Sequence, residues 1–346
     1  MNKTTVIGLD LAKHSFEVVV INGQGQLQQR KSLRRHTLLP FLLRQAPAVV
    51  AMEACASAHH WARRIGDQGH QVRLLPPQHV KGYLRGQKND YNDALAIAEA
   101  CVHGRVRPVP VKTLAQQDEQ CLHAIRRGLN ADKVRLSNQL RGLLGEYGLV
   151  VPRGDAALRR ALVTHLDETA TGLSPRVRTY LARQYARFVA LLDELAWYDA
   201  DLRQRVKQDE ACIRLQAIPG IGPVVASMVR HWMGDGRQFT CGRDASAALG
   251  LVPRQHSTGG RQRLGGISKR GDPHVRSVVV HGARAVVSRA SGKTDPLSCW
   301  VQQLRARRGF NKAVVALANK IIRMAWVVIA RGEHYRPQGE VSSVAA

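Results

Sequence analysis

The first 125 or so residues alternate strand-like and helix-like segments in an order that leaves few folds open. TVIGLD (5–10) and FEVVVI (16–21) are rich in β-branched residues and read as strands. NGQG (22–25) is a hairpin signal, because Asn-Gly tolerates positive φ, and LQQRKSL (27–33) supplies the third strand. A helix near 37–45 comes next, then the buried strand AVVAME (48–53) and a helix over 58–68. QVRLLP (71–76) is the last strand, stopped by Pro76 and Pro77. NDALAIAEACVHG then reads as a helix with Gly104 near its end. An antiparallel meander joined to parallel crossovers is an α/β layer, and in this order strands one and four can lie side by side.

Four acids stand where these strands end or helices begin. Asp10 ends the first strand in GLDLAK, and Glu53 ends the fourth in AMEA. Asp90 and Asp93 open a helix in KNDYND, and their i,i+3 spacing puts them on one face. Clustered carboxylates repel one another and raise their own pKa values. The arrangement becomes favourable around hard divalent cations, which prefer oxygen ligands. Two such ions can clamp the attacking and leaving oxygens of a phosphodiester. Each acid also has a plainer explanation. Asp90 and Asp93 can cap their helix, and Asp10 can be a turn residue. Glu53 resists one, since a Glu directly after AVVAM is half-buried and costly without a partner.

Charge names the partner class. The chain has 346 residues, with 52 Lys and Arg against 26 Asp and Glu, a formal net charge of +26. Such an excess suits a polyanion, because each neutralised phosphate releases condensed counterions. It does not separate DNA from RNA, and aromatics at 5% give little sign of extensive base-stacking platforms. No uninterrupted apolar run reaches the roughly 18 residues of a membrane span. The start MNKTTVIGLD reads as no signal peptide, since its apolar stretch ends in Asp10. The six cysteines (55, 101, 121, 212, 241, 299) form no C-x-x-C pair, which argues against a zinc site or disulfide framework and fits a reducing cytoplasm.

Beyond residue 120 the texture is all-α. Leu122, Ile125, Leu129, Leu136, Leu140, Leu143 and Tyr147 recur at helical spacings, as do Leu181, Phe188, Leu192, Leu195, Tyr198, Leu202 and Val206. Two long amphipathic helices follow, with a coiled-coil-like protruding hairpin favoured over an ordinary bundle, and a connecting segment between Pro152 and Pro175. IPGIGPVVA (218–226) fits the turn of a helix-hairpin-helix. There Gly220 and Gly222 let backbone amides approach a phosphate; a plain Pro-Gly helix connection is the alternative. A last helix covers about 311–331, and the tail reads as disordered.

Between these helices lies PRQHSTGGRQRLGGISKRG (253–271). Arg254, Arg261, Arg263, Lys269, Arg270 and Arg276 face one acid, Asp272. A Ser257-Thr258 pair before Gly-Gly is a candidate nucleophile on an exposed loop, with His256 as a possible base. The cations can stabilise a crowded phosphate. Taken alone, the loop reads better as a flexible phosphate-binding segment without chemistry.

As an ordered set, IGLDLAK, AMEA, KNDYNDALAIAEA, IPGIGPVVA, GLVPRQHSTGG, ISKRGD and HGARAVV resemble the DEDD-type transposases of bacterial insertion sequences, relatives of the pilin-gene invertase. The serine loop looks most like the branch that targets conserved sites such as attachment-site repeats. The resemblance runs from about residue 5 to 335 and implies three domains and a tail. Residues 1–120 would be an RNase H-like domain of the RuvC type, with Asp10, Glu53, Asp90 and Asp93 holding Mg2+ or Mn2+. Residues 121–210 would be a coiled-coil hairpin used in assembly. Residues 211–335 would be a mainly helical domain carrying a serine that links covalently to DNA, and 336–346 the tail. Lys88, Gly220, Gly222 and the six cations of the serine loop would bind nucleic acid. Family members use donor and target DNA, a structured guide RNA from the element's non-coding end, and a tetramer built as a dimer of dimers. A cytoplasmic, nucleoid-associated location follows. Relatives often carry Ser directly before the Gly, a place filled here by Thr258; Ser257 is taken as the nucleophile with Thr258 as the alternative. Two rivals stand beside this reading: a RuvC-like junction-resolving endonuclease that hydrolyses without a serine, and a non-catalytic nucleic-acid binder.

Overall fold

The computed structural model describes residues 5–87, 89–103, 106–167 and 172–337. Two compact units make up the chain, Met1–Leu114 and Ala115–Ala346. Lys88, Gly104 and residues 338–346 of the expected tail lie outside the described residues.

The first unit is built on a five-stranded sheet. β1 (Val6–Leu11), β2 (Ser15–Ile21) and β3 (Leu27–Arg34) form the expected antiparallel meander. β4 (Val49–Glu53) runs parallel to β1, and β5 (Gln71–Leu75) parallel to β4, in the order β3-β2-β1-β4-β5. Strands one and four are neighbours, with Leu9 opposite Met52. Successive side chains alternate faces, and both faces are covered. Ile7, Leu9, Phe16, Val50 and Met52 pack under α1 (Arg35–Leu43) and α2 (Ala58–Gly66). After a short α3 (Pro77–Val80) comes α4 (Asp90–Val102), which covers Val6, Val19, Val49 and Ala51 on the other face with Ala94, Ile97 and Ala98. Burying each large apolar side chain contributes about 1.5–3 kcal/mol. The edge strand β3 is mostly exposed and carries Arg30, Lys31 and Arg34, charges that discourage pairing with a further strand.

The second unit is largely helical. α5 (Leu114–Gly145) and α7 (Pro175–Gln208) run antiparallel, tied by Glu119–Arg205 at 3.2 Å and by Arg126 Nε donating to Asp199 at 2.7 Å. The segment between Pro152 and Pro175, expected to be a connector, contains α6 (Asp155–Asp167). Leu158 and Leu162, one helical turn apart, pack fully buried in one cluster with Leu136, Leu140, Leu144, Leu181 and Phe188. That third helix also shifts the expected stripe: Leu144 is buried, whereas Leu143 is 41% exposed.

The other ends of α5 and α7 join a larger core. Leu122, Leu202 and Val206 pack with α8 (Glu210–Gln216), α9 (Pro223–Met233), α10 (Gly242–Ala248), α11 (Pro273–Ser288), α12 (Pro296–Arg308) and α13 (Phe310–Arg331). A two-stranded hairpin, β6 (Pro253–Gln255) with β7 (Leu264–Ile267), stands out from this core. Helix α13 is long and apolar enough to cross a membrane by length and composition alone. Lys320 and Arg323 interrupt it, and Leu317, Ile321, Ile322 and Ala325 are fully buried core.

Candidate active site

The alternation of β1, β2 and β4 places three carboxylates in a row. Asp10 shares the face of Val6 and Gly8, the face that α4 covers. Its cross-strand partner on β2 is Glu17. On β4, Glu53 follows Val49 and Ala51 on that same face, one step past the Leu9–Met52 pair and therefore beside Asp10. The row thus reads Glu17, Asp10, Glu53 across three adjacent strands.

Helix α4 brings the remaining two. Gly8 has no side chain, so α4 rests its backbone on β1 at Ala94 and its first turn arrives at the end of β1. Asn89 caps that turn, its side chain accepting from Asn92 N–H at 2.8 Å. The capping explanation for Asp90 and Asp93 therefore passes to Asn89. The two aspartates occupy the first turn, where the helix dipole favours negative charge.

One carboxylate oxygen each from Asp10, Asp90 and Asp93 lie within 4.8 Å of one another. Glu53 stands outside that trio but close by, since it and Asp10 both push up the Cys55 thiol, after burial itself. Burial, then Asp93 and Asp90, then Glu17 raise the Asp10 carboxyl from 3.8 to about 6. One oxygen of Glu17, Oε2, is buried without a hydrogen-bond partner. An all-oxygen set of anionic donors with an orphaned carboxylate oxygen beside it fits a hard divalent cation. The sequence reading did not single out Glu17. Continuing the β1–β2 hairpin register would have found it, because that register sets residue 17 opposite residue 10.

The expected serine loop is the tip of the β6–β7 hairpin in the second unit. Thr258 to Arg261 form its tight turn, with Gly259 and Gly260 both at positive φ and Arg261 N–H donating to the Thr258 carbonyl at 3.0 Å. Ser257 is exposed and oriented: its Oγ accepts from Gln255 Nε2 at 2.9 Å and from Arg263 N–H at 3.4 Å. His256 pairs through its own N–H with the Arg263 carbonyl at 2.9 Å. Arg254, Arg261, Arg263, Lys269 and Arg270 are exposed. Arg276 instead donates to the carbonyls of Leu249 and Arg270, tying down the base of the loop. Gly222 is the exposed N-cap of α9. Gly220, at positive φ, lies against the Gly282 carbonyl of α11, so its missing side chain serves helix packing.

With this geometry in view, the similarities are specific. Residues 7–149 match the DEDD transposase model of the IS110 group, and residues 212–297 match the transposase IS116/IS110/IS902 family. A probable family 20 transposase of Pseudomonas aeruginosa is 45% identical over 96% of this chain and 98% of its own length. The transposase for insertion sequence element IS1111A of Coxiella burnetii is 40% identical, covering 97% and 92%. That for IS1328 of Yersinia enterocolitica is 39% identical, covering 96% and 98%. Among solved structures, T. thermophilus RuvC in complex with a Holliday junction substrate aligns with 31% of this chain and 99% of its own at 17% identity; its TM-score of 0.24 carries no argument. The protein is an insertion-sequence transposase. It belongs to the IS116/IS110/IS902 family.

Proposed function

We propose that this transposase is a site-specific DNA recombinase that cuts and rejoins strands through a phosphoserine, guided by a structured RNA from its own element. The observation that carries the cutting half is the convergence of Asp10, Asp90 and Asp93 on one point, with Glu53 beside it. Mg2+ or Mn2+ bound there would polarise the scissile phosphate and stabilise its leaving oxygen. The chain's own part is to hold those carboxylates at fixed spacing on β1 and α4, in a first unit we read as RNase H-like and of the RuvC type. The mixed sheet, with its acids at strand ends, supports that reading.

The rejoining half rests on Ser257. Its Oγ attacks the phosphorus, its proton passes to a base, and the displaced DNA oxygen takes up a proton. A serine–phosphate bond replaces the phosphodiester. The reverse attack by a hydroxyl of the exchanged strand restores the phosphodiester and frees the serine, so no nucleotide energy source enters. Gln255 and the Arg263 amide fix the hydroxyl, while Arg254, Arg261 and Arg263 supply cations around it. Thr258, the first residue of the turn, is the alternative nucleophile.

The finer organisation is proposed with it: a hairpin over 121–210 used in assembly, a domain over 211–335 with a helix-hairpin-helix at Gly220–Gly222, and a tetramer working on donor and target DNA in the cytoplasm at the nucleoid. Lys88 would join the nucleic-acid contacts. Incubating the protein with its flanking non-coding RNA and labelled element-end DNA should give a protein–DNA adduct that Ser257→Ala abolishes. The second reading, junction-type hydrolysis, is favoured by a carboxylate cluster assembled within the first unit alone. Strand cutting that survives Ser257→Ala, with no adduct from the wild type, would establish that reading instead.

A further inference from the structure

A cavity of about 1870 Å³ opens in the second unit, and the β6–β7 hairpin forms one of its walls. Pro253 and residues 264–267 line that wall, and α13 lines the floor with Val315, Met324 and Val327. Trp300 of α12 closes a side, with Lys320 standing 4.8 Å over its ring. Leu264 is 60% exposed at the mouth, an unusual position for a leucine, with nothing covering it among the described residues. The cavity is several times the roughly 300 Å³ lower bound of small-ligand pockets, so it has room for more than one nucleotide.

Charge narrows the occupant. Arg243, Lys312 and Arg323 are exposed on the lining. Its two acids are engaged elsewhere: Asp295 accepts from Ser298 N–H at 3.0 Å, and Glu333 pairs with Arg331 at 3.7 Å. An apolar, aromatic interior with a cationic rim suits a nucleobase on a phosphate backbone better than an acidic or purely apolar partner. Continuity narrows it further. Leu264 lines the cavity, and its neighbour Arg263 donates through its backbone N–H to Ser257 Oγ.

We propose that this cavity receives unstacked DNA bases next to the phosphate that Ser257 engages, with Trp300 as the stacking surface once Lys320 swings from its ring to a phosphate, and the rim cations on the flanking phosphates. The inference deepens the function proposed above and rests on Ser257 lying at the reacting strand. A strand bound this way leaves the duplex stack at the exchange point, which is where a recombinase must separate partners.

The test uses the full chain carrying Ser257→Ala in buffer free of divalent metal, so that neither adduct formation nor hydrolysis plays a part, and compares a twelve-nucleotide oligo-dT with a duplex of equal length. Trp300→Ala should weaken oligo-dT binding about tenfold, the size of one base–aromatic stack, and leave duplex binding within about twofold. Leu264→Asp, which changes an exposed side chain and keeps the backbone pairing of residue 264 with Gln255, should do the same. Oligo-dT affinity unchanged in both variants overturns the proposal. So does a chain that self-associates through this face and becomes monomeric on Leu264→Asp, because a second copy then fills the cavity. Adduct formation by the protein with its native serine is read separately, so the two proposals fail independently.

Discussion

Gly8 of β1 and Ala94 of α4 are in backbone contact: a Cβ on Gly8 would come within 2.2 Å of the Ala94 carbonyl oxygen and 2.8 Å of the Ala98 Cβ. That contact sets the height of α4 above the sheet, and with it the distance from Asp90 and Asp93 to Asp10. Gly8→Val must lift the helix. Overpacking of this kind costs about 1–3 kcal/mol. The expected outcome is a folded protein with lowered Tm and divalent-ion affinity reduced at least about tenfold, as its ligands separate. Titration calorimetry with Mn2+ alongside thermal melts checks it; unchanged affinity would mean that α4 does not set the cluster.

Asp10 gives a pH signature. Its carboxyl titrates near 6 in the fold, against 3.8 ordinarily. The folded state therefore disfavours the charged form, and stability falls as pH rises from about 4 to about 6, then stays lower. The cost above that range is on the order of 2 kcal/mol once solvent screening of a partly exposed group is allowed for. In metal-free protein, Asp10→Asn should raise Tm at about pH 7.5 and leave it unchanged below about pH 4. Added Mg2+ should stabilise the wild type more at about pH 7.5 than at about pH 5, because the ion must displace a proton from Asp10 at the lower value. Melts across that range decide both.

Glu17 is the fifth carboxylate, with one buried oxygen lacking a partner. Glu17→Gln removes a negative charge beside Asp10 while keeping shape. Its removal takes away one of the influences that raise Asp10, so metal-free stability should rise and Mn2+ affinity should fall about three- to tenfold, the loss of one charged neighbour at moderate dielectric. Equal affinity in wild type and variant would leave Glu17 as a bystander.

A buried polar chain links α5 to α9. His123 Nε2 donates to Ser227 Oγ at 2.9 Å, and Ser227 donates to Glu119 at 3.2 Å, which Arg205 also engages. Because the single hydroxyl proton goes to a carboxylate, which only accepts, the histidine must be the donor on its side. Burial, then Arg126, His231 and His274 lower His123 from 6.5 to about 4. Its neutral form is favoured in the fold, so the stability it contributes is full above about pH 6.5 and is lost as pH falls toward about 4, on the order of 3 kcal/mol in all. His59, also lowered to about 4, adds to the same acid limb in the first unit. His123→Gln should be the less stable protein at neutral pH and should lose less on acidification. Parallel acid limbs for the two proteins would count against this.

Much of the first unit was legible because its signals are local. Alternating β-branched residues, an Asn-Gly turn and paired prolines mark the five strands, and their order lets β1 and β4 lie side by side, as the register with Asp10 beside Glu53 shows. What stayed hidden depends on three-dimensional neighbours. The hairpin register that pairs Glu17 with Asp10 has no motif. Asn89 and the two aspartates compete for one capping role, and only geometry assigns it. Leu158 and Leu162 look like stray apolar residues between prolines until Leu136 and Leu140 are seen to need them. Gly220 reads in sequence as a helix-hairpin-helix glycine or a plain helix connection, and its close approach to the Gly282 carbonyl of α11 is visible only in the fold.

The most direct test of the metal centre is anomalous diffraction from crystals of the protein soaked with Mn2+. Density bonded to carboxylate oxygens of Asp10, Asp90 and Asp93, at about 2.0–2.4 Å and absent from Asp10→Asn crystals, is the expected result. Manganese bound elsewhere, with those three carboxylates left unliganded, would contradict the account.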